Sequence, residues 1–255
     1  MTAPFKVVIP ARYASTRLPG KPLLDIAGKP LLQHVYEAAR ASRAAAVVIA
    51  TDDQRIKSAA EAFGAQVVMT SVKHQSGTDR IAEAVAKLQE PDDTIIVNVQ
   101  GDEYGLPPAI INQLAMALYE NPGKHMATLC EKVVNKTDLD NPHVVKVIVD
   151  DNNSAIYFSR SCIPWFDHGE ELSLEEFPCQ PYRHIGIYAY RAGFLKIFTA
   201  LRRCPLEVSE KLEQLRALYY GYNIHVEPAA AACGLEVNTP EDLERVRKTA
   251  KSNKL

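Results

Sequence analysis

Three cations, Arg12, Arg17 and Lys21, fall within ten residues of one another in the loop Pro10-Ala11-Arg12-Tyr13-Ala14-Ser15-Thr16-Arg17-Leu18-Pro19-Gly20-Lys21-Pro22. Guanidinium and ammonium groups beside free backbone amides can hold a triphosphate and neutralise charge growing on pyrophosphate as it leaves. On spacing alone, a solvated basic loop explains the same residues. Asp102, beside Glu103 and just past an apolar run, is placed to hold a hydrated magnesium ion that bridges nucleotide phosphates, and equally to cap a helix or end a turn. A triphosphate needs cationic side chains and a metal together, so the two segments weigh more as a pair than singly. Thr51-Asp52-Asp53 and Ser76-Gly77-Thr78 add polar groups suited either to reading a base or sugar or to capping and turning the chain.

These residues need elements to carry them. Lys6 to Ile9 is a short β-branched run before the basic loop, and apolar positions at helical spacing follow from Leu31 to Ala41. Val47 to Ala50 reads as a strand, with Asp52 or Asp53 capping a helix from about Arg55 to Phe63 that Gly64 ends. Val67 to Met69 gives a strand, Thr78 to Leu88 a helix, and Thr94 to Val99 a strand entering Gln100-Gly101-Asp102-Glu103. This alternation predicts an α/β fold with a mostly parallel sheet and helices on both faces, whose ligands bind beyond the carboxyl ends of the strands. The polar loops sit at those ends.

The second half reads as richer in strand, with runs at Met126 to Val134, Val144 to Val149, Ala155 to Ser159 and Ile185 to Tyr190. Asp167 to Pro181, acidic and proline-containing, looks like an excursion from the sheet. Helices return at Ala192 to Ala200, Leu212 to Tyr220 and Pro240 to Ala250, the last with Thr239 as N-cap. The expected division is a nucleotide-binding part over 1–125 and a smaller β-rich part over 126–255, joined in one integrated domain.

Composition narrows the function classes. The 255 residues are 47% hydrophobic and 24% charged, an ordinary globular balance that excludes a collagen-like or disordered chain. A net charge of -2 supplies no general pull toward nucleic acid or an anionic membrane, so anion binding must be local. The longest apolar stretch, Ala44 to Ala50, is far short of the roughly 20 residues a spanning helix needs. Pro10 interrupts the first apolar run too early for a secretory signal, and the chain reads as cytoplasmic. Five cysteines without a Cys-x-x-Cys pair suggest reduced structural thiols rather than a zinc ribbon. Neither Gly-x-Gly-x-x-Gly nor a P-loop is present in the basic loop, which removes support for dinucleotide redox enzymes and P-loop kinases.

Six segments in order, covering nearly the whole chain, resemble the 3-deoxy-manno-octulosonate (Kdo) cytidylyltransferase family. They are Ile9 to Pro22, His74 to Arg80, Val97 to Glu103, Tyr157-Phe158-Ser159-Arg160, Arg183 to Tyr190 and Leu212-Glu213-Gln214-Leu215-Arg216. The resemblance implies a nucleotide-diphospho-sugar transferase type of fold, a homodimer, and transfer of CMP from CTP to Kdo with release of pyrophosphate, for lipopolysaccharide synthesis. It implies nucleotide binding by Ala11, Arg12, Arg17, Lys21, Ser76, Gly77, Thr78 and Arg80. Gln100, Arg160, His184, Tyr188, Glu213 and Gln214 fall on motifs at the sugar acid. Mg²⁺ is the implied cofactor, at Asp102 and position 238, with Arg12, Lys21 and Asp102 at the chemistry. Related acid sugars, such as 8-amino-Kdo or a sialic acid, are rival substrates, and a nucleotide-binding protein without turnover is a rival of another class.

Two departures motivate that last rival. Tyr104-Gly105 follows Gln-Gly-Asp-Glu where the family has Pro and a bulky apolar residue, which is expected to loosen the loop that holds Asp102. Asn238 stands where the family has Asp. Its carbonyl oxygen brings no charge, so a weaker metal site and a raised magnesium requirement are expected.

Overall fold

The structure is a computed structural model, described here for residues 4–14, 18–165 and 179–252. Arg17 and most of the acidic excursion, 166–178, lie outside the described residues. In chain order the first half contains β1 (Phe5–Ala11), β2 (Asp25–Ile26), β3 (Lys29–Pro30), α1 (Leu31–Arg40), β4 (Ala46–Thr51), α2 (Gln54–Ala62), β5 (Gln66–Met69), α3 (Gly77–Lys87), β6 (Ile95–Asn98), β7 (Glu103–Tyr104) and α4 (Pro108–Glu120). The second contains β8 (Met126–Lys132), α5 (Lys136–Asp140), β9 (Lys146–Val149), β10 (Ala155–Ser159), β11 (Tyr182–Arg191) and α6 (Ala192–Ala200). After these come α7 (Pro205–Glu210), α8 (Leu215–Tyr219), β12 (Ile224–Pro228), β13 (Leu235–Glu236) and α9 (Pro240–Ser252).

One nine-stranded sheet runs through both halves. β5, β4, β1 and β6 pair in parallel, and β11 joins antiparallel to β6 with Tyr188 opposite Asn98. β8 and β9 both pair with β11, β10 follows β9, and β12 adds in parallel to β8. The parallel strands are buried on both faces, which is why β1, β4 and β6 read as continuous apolar runs rather than alternating ones.

Strand alternation sorts the core into two layers. Ile95 and Val97 of β6 pack with α1, α2, α4 and α9 through Leu32, Ile56, Leu114 and Val246. Ile96 faces the other way, with α3, α6 and α8 through Ile81, Val85, Leu195 and Leu215. Asn98 and Gln100 follow Ile96 at the same parity, and Tyr188 and Tyr190 pack in that second layer. This geometry decides the site: residues beyond the ends of β1 and β6 face a cleft between the basic loop and the start of α3.

Local signals fix the element ends at that edge. Asp53 caps α2, accepting from Arg55 N at 2.9 Å and Ile56 N at 3.4 Å, so of the two candidates it is the cap. Asp52 is thereby left to another partner. Ser76 caps α3 by accepting from Asp79 N at 3.1 Å, and Thr239 caps α9 by accepting from Asp242 N at 3.2 Å.

Candidate functional site

Beyond the carboxyl ends of β1 and β6 lies a cleft of about 310 Å³. Ala11, Arg12, Lys21, Ser76, Gly77, Arg80, Gln100, Asp102 and Asn238 line it. His74, Gln75, Pro10 and Pro22 also line it, and none of these four stood among the expected site residues. Residues far apart in sequence thus meet because both strand ends and the N-terminus of α3 open onto one edge.

The basic loop folds back on itself, with Gly20 N donating to Tyr13 O and Lys21 N to Leu18 O, both at 3.1 Å. That turn brings the Lys21 ammonium to the Asp102 carboxylate, with which it forms an ion pair, and 3.2 Å from Asn238 Oδ1. Two of its three N–H groups are so occupied, leaving one for a phosphate oxygen. Arg12 is exposed at the mouth of the cleft. Gly101 carries the chain past β1 so closely that a Cβ there would stand 2.9 Å from Pro10 O, too near for any other residue without backbone movement.

Arg80 is buried, and its guanidinium is committed to protein partners: Asp52 Oδ2 at 2.8 Å and Thr70 Oγ1 at 2.6 Å. It stiffens the wall of the cleft by tying α3 to the ends of β4 and β5. Nothing in the sequence distinguished this use from a phosphate contact. His74 is likewise anchored, by Glu83 on α3, whose carboxyl is held down at about 2 against the opposing effect of burial by Lys87, Ser71 and His74.

Two further carboxyls lie near Asp102. Glu103 pairs across the β7 and β13 ladder with Glu236, and burial, then Glu236 and Asp102, push its carboxyl up to about 8. Desolvation and Asp102 raise Glu236 in the same direction. Glu236 accepts from Asn238 Nδ2 at 2.6 Å, which turns Asn238 Oδ1 toward Lys21. One ladder therefore ties the Asp102 loop to the Asn238 segment, and Tyr104 adds an edge contact with His34 at 5.1 Å between ring centroids. Gly105 adopts φ +73°, a conformation that glycine takes without strain. The loosening expected from Tyr104-Gly105 is offset by these ties.

Thr78, Arg160, His184, Tyr188, Glu213 and Gln214 are not among the residues that line this cleft. Thr78 Oγ1 donates to Glu213 Oε2 at 2.6 Å, so the N-terminus of α3 is joined to the segment before α8. Burial raises the Glu213 carboxyl, opposed by hydrogen bonds from Thr78 and Ser76 and by the Arg216 charge. Arg216, in turn, is held in a bidentate pair with buried Glu207 at 2.8 and 2.6 Å. Arg160 is clamped at the end of β10: its backbone N donates to Glu210 Oε2 at 2.9 Å, its Nε to Glu210 O at 2.8 Å and its Nη1 to Pro142 O at 3.0 Å. No local signal marks Glu210, because its partner Arg160 is fifty residues away.

His184 lies 4.9 Å from the Phe158 ring and 5.4 Å from the Tyr188 ring, centroid to centroid. Its Nε2 is 3.0 Å from Thr128 Oγ1. The Thr128 hydroxyl is also 2.9 Å from Ile185 O and 2.8 Å from Ile187 O; donating its one hydrogen to either carbonyl leaves its oxygen able to accept from His184 Nε2–H. Burial pushes the imidazole down to about 3 and the Tyr188 phenol well up, so both are neutral near pH 7. Because the folded pKa lies below the ordinary value near 6.5, the unfolded chain takes up the extra proton between about pH 6.5 and 3, and stability falls as pH drops through that interval. The slope is at most about 1.4 kcal/mol per pH unit, reduced where solvent reaches the half-buried ring. His184→Gln should show a shallower loss of stability over that window in denaturant titrations; parallel curves for variant and wild type would contradict the burial argument.

Comparison with known proteins gives a consistent result. A family model described as Cytidylyltransferase matches residues 6–224. The 3-deoxy-manno-octulosonate cytidylyltransferase 1 of Actinobacillus pleuropneumoniae is 54% identical over 246 residues, 96% of this chain and 98% of its own. The 3-deoxy-manno-octulosonate cytidylyltransferase of Haemophilus ducreyi is 54% identical over 245 residues, 95% of this chain and 96% of its own. Among solved structures, a CMP:2-keto-3-deoxy-manno-octonic acid synthetase complexed with CTP superposes with a TM-score of 0.89 at 42% identity, covering 99% of this chain and 100% of that one. A 4-diphosphocytidyl-2C-methyl-D-erythritol synthase, 15% identical with a TM-score of 0.62 over 96% of this chain and 98% of its own, shares the fold.

Proposed function

The chain belongs to the 3-deoxy-manno-octulosonate cytidylyltransferase family, and from that premise we propose that it transfers CMP from CTP to Kdo, giving CMP-Kdo and pyrophosphate. The observation that carries this reading is the convergence of Arg12, Lys21 and Asp102 on one cleft. An anomeric hydroxyl held beside the α-phosphorus forms the new P–O bond in line as the bond to the pyrophosphate oxygen breaks, and the hydroxyl proton passes to solvent. No covalent nucleophile is needed. Most of the rate enhancement comes from positioning and from charge stabilisation.

Arg12 and Lys21 take the triphosphate oxygens, while Ala11, Ser76, Gly77 and Thr78 border the nucleotide and Gln100 marks the passage to the sugar. Outside that cleft, Arg160 supplies a cation for the sugar acid carboxylate, and His184, Tyr188, Glu213 and Gln214 supply neutral or anionic partners for hydroxyls. Arg80 supports this arrangement from the wall, through Asp52 and Thr70.

The oxygens at the rim suit Mg²⁺. Asp102 Oδ2 and Asn238 Oδ1 already converge on a cation, the Lys21 ammonium. Magnesium characteristically binds through one or two carboxylates with phosphates and water. Held there by Asp102 with Asn238, it would lessen the charge on the leaving pyrophosphate. Asn238→Asp adds an anionic oxygen at this rim and should lower the magnesium concentration for half-maximal rate; an unchanged titration would remove position 238 from the metal site.

The family resemblance further supports a homodimer, for which Ile156 on the edge strand β10 and Trp165 offer exposed apolar surface, and a cytoplasmic place in lipopolysaccharide synthesis. The functional reading is tested by mixing the protein with CTP, Mg²⁺ and Kdo, 8-amino-Kdo or a sialic acid. Pyrophosphate and CMP-Kdo should form fastest with Kdo. CTP binding with no pyrophosphate from any of these sugars would contradict it.

A further inference from the structure

The Arg55 guanidinium, on the first turn of α2, lies with its carbon 3.3 Å from the centroid of the Tyr13 ring in the basic loop. The same ring lies against Gly20, where an added Cβ would stand 3.1 Å from both Tyr13 Cζ and Oη. Gly20 takes φ +68° and its N–H donates to Tyr13 O, so ring and backbone together tie Tyr13 to the residue before Lys21. Arg55 is held in turn by Asp53, the cap of α2, with Nε 3.0 Å from Oδ1 and Nη2 2.6 Å from Oδ2. The turn Lys21–Leu23 contacts α1 and α2 as well. The Arg55 side chain is 61% exposed, so it holds up no core. An exposed Arg–Asp pair by itself adds little to stability, but a guanidinium over an aromatic face has an attraction of its own.

We propose that Tyr13 and Arg55 form a strut that sets the basic loop, and with it Arg12 and Lys21, in place for the nucleotide. The inference rests on the proposed function and adds two positioning residues to it; neither is among the residues that line the cleft. Arg12 precedes Tyr13 and Lys21 follows Gly20, so the contact between ring and glycine joins the backbones of the two cations. A loop that must be ordered when its ligand arrives loses part of the binding free energy to that ordering, and a loop fixed beforehand does not. Without the stack both cations remain, but their placement against the triphosphate is no longer fixed from α2. No local signal marks the pair: Tyr13 reads as one more loop residue and Arg55 as an exposed helix position.

Arg55→Ala should therefore weaken the binding of CTP with Mg²⁺, measured by calorimetry, about 3-fold, and lower kcat/KM for CTP in step, while KM for Kdo stays within about 2-fold. Because Arg55 is exposed, the Tm of this variant should stay within about 2 °C of wild type. Tyr13→Leu keeps apolar bulk without an aromatic face and should weaken CTP binding about 3-fold or more, whereas Tyr13→Phe should retain the wild-type affinity. The double variant decides: Tyr13→Leu with Arg55→Ala should bind CTP no more weakly than Tyr13→Leu alone. Wild-type affinity in Arg55→Ala overturns the strut. Multiplied losses in the double variant overturn it too, and are the result expected if Arg55 met the phosphates itself. Absence of turnover with every sugar acid overturns the enzyme reading and leaves the strut to be decided by these binding measurements. Failure of the wild-type protein to bind CTP overturns both.

Discussion

Lys21→Ala is expected to lower kcat about 10²-fold or more, the scale on which loss of a single transition-state donor is felt. Lys21 is the cation that the structure seats between Asp102 and Asn238, at the mouth of the cleft where a triphosphate tail would lie. On the proposed function its ammonium would stabilise pyrophosphate more as charge accumulates during bond breaking than in the bound substrate, so the loss is expected chiefly in kcat. Lys21→Arg keeps the charge but replaces a compact ammonium by a planar fork, and should recover only part of the rate. Single-turnover measurements separate the chemical step from product release. Unchanged single-turnover rates in Lys21→Ala would remove this residue from the chemistry.

Asp102→Asn should cost about 10² to 10³-fold in kcat, corresponding to a few kcal/mol of transition-state stabilisation. The substitution keeps the size of the side chain and removes its charge, and it breaks the ion pair with Lys21. Asn238 then offers a second neutral oxygen at the same rim, so the proposed metal site would lose its anionic ligand, while burial still disfavours charge on Glu103 and Glu236. Mn²⁺ binding in the presence of CTP, followed by electron paramagnetic resonance, should weaken in parallel with the rate. Equal Mn²⁺ affinity in variant and wild type would separate Asp102 from the metal.

Much of the fold was legible because short apolar runs and helical spacing alternate clearly up to β6. A cap at Asp52 or Asp53, a cap or turn at Ser76-Gly77-Thr78 and strand ends near Pro10 and Val99 followed from local chemistry; the structure gives the caps to Asp53 and Ser76 and ends the strands at Ala11 and Asn98. What escaped had no local signal. α4 is apolar on most of its surface, with Ile110, Ile111, Leu114, Ala115 and Leu118 all buried, so no polar face marks its period, and Pro107-Pro108 reads as a turn. β7 and β13 are two residues long and lie over a hundred residues apart, yet they bring Asn238 to Asp102.

The candidate site divides along the same line. The basic loop and Asp102 announce themselves by charge beside strand ends, and whole-motif resemblance brought in Glu213, Gln214, His184 and Tyr188. Partners set by tertiary contact did not appear: Asp52 and Thr70 on Arg80, Glu210 on Arg160, and Glu207 on Arg216. Each is an ordinary polar residue in sequence and acquires its meaning only when distant elements pack.

Crystals of the protein grown with CTP and Mg²⁺ would test the central arrangement most directly. The account predicts triphosphate oxygens within hydrogen-bond distance of Lys21 Nζ and the Arg12 guanidinium, with the metal bound to Asp102 and to those same phosphates. A triphosphate lying elsewhere, with the Lys21 and Asp102 pair undisturbed and no ion beside it, would contradict it.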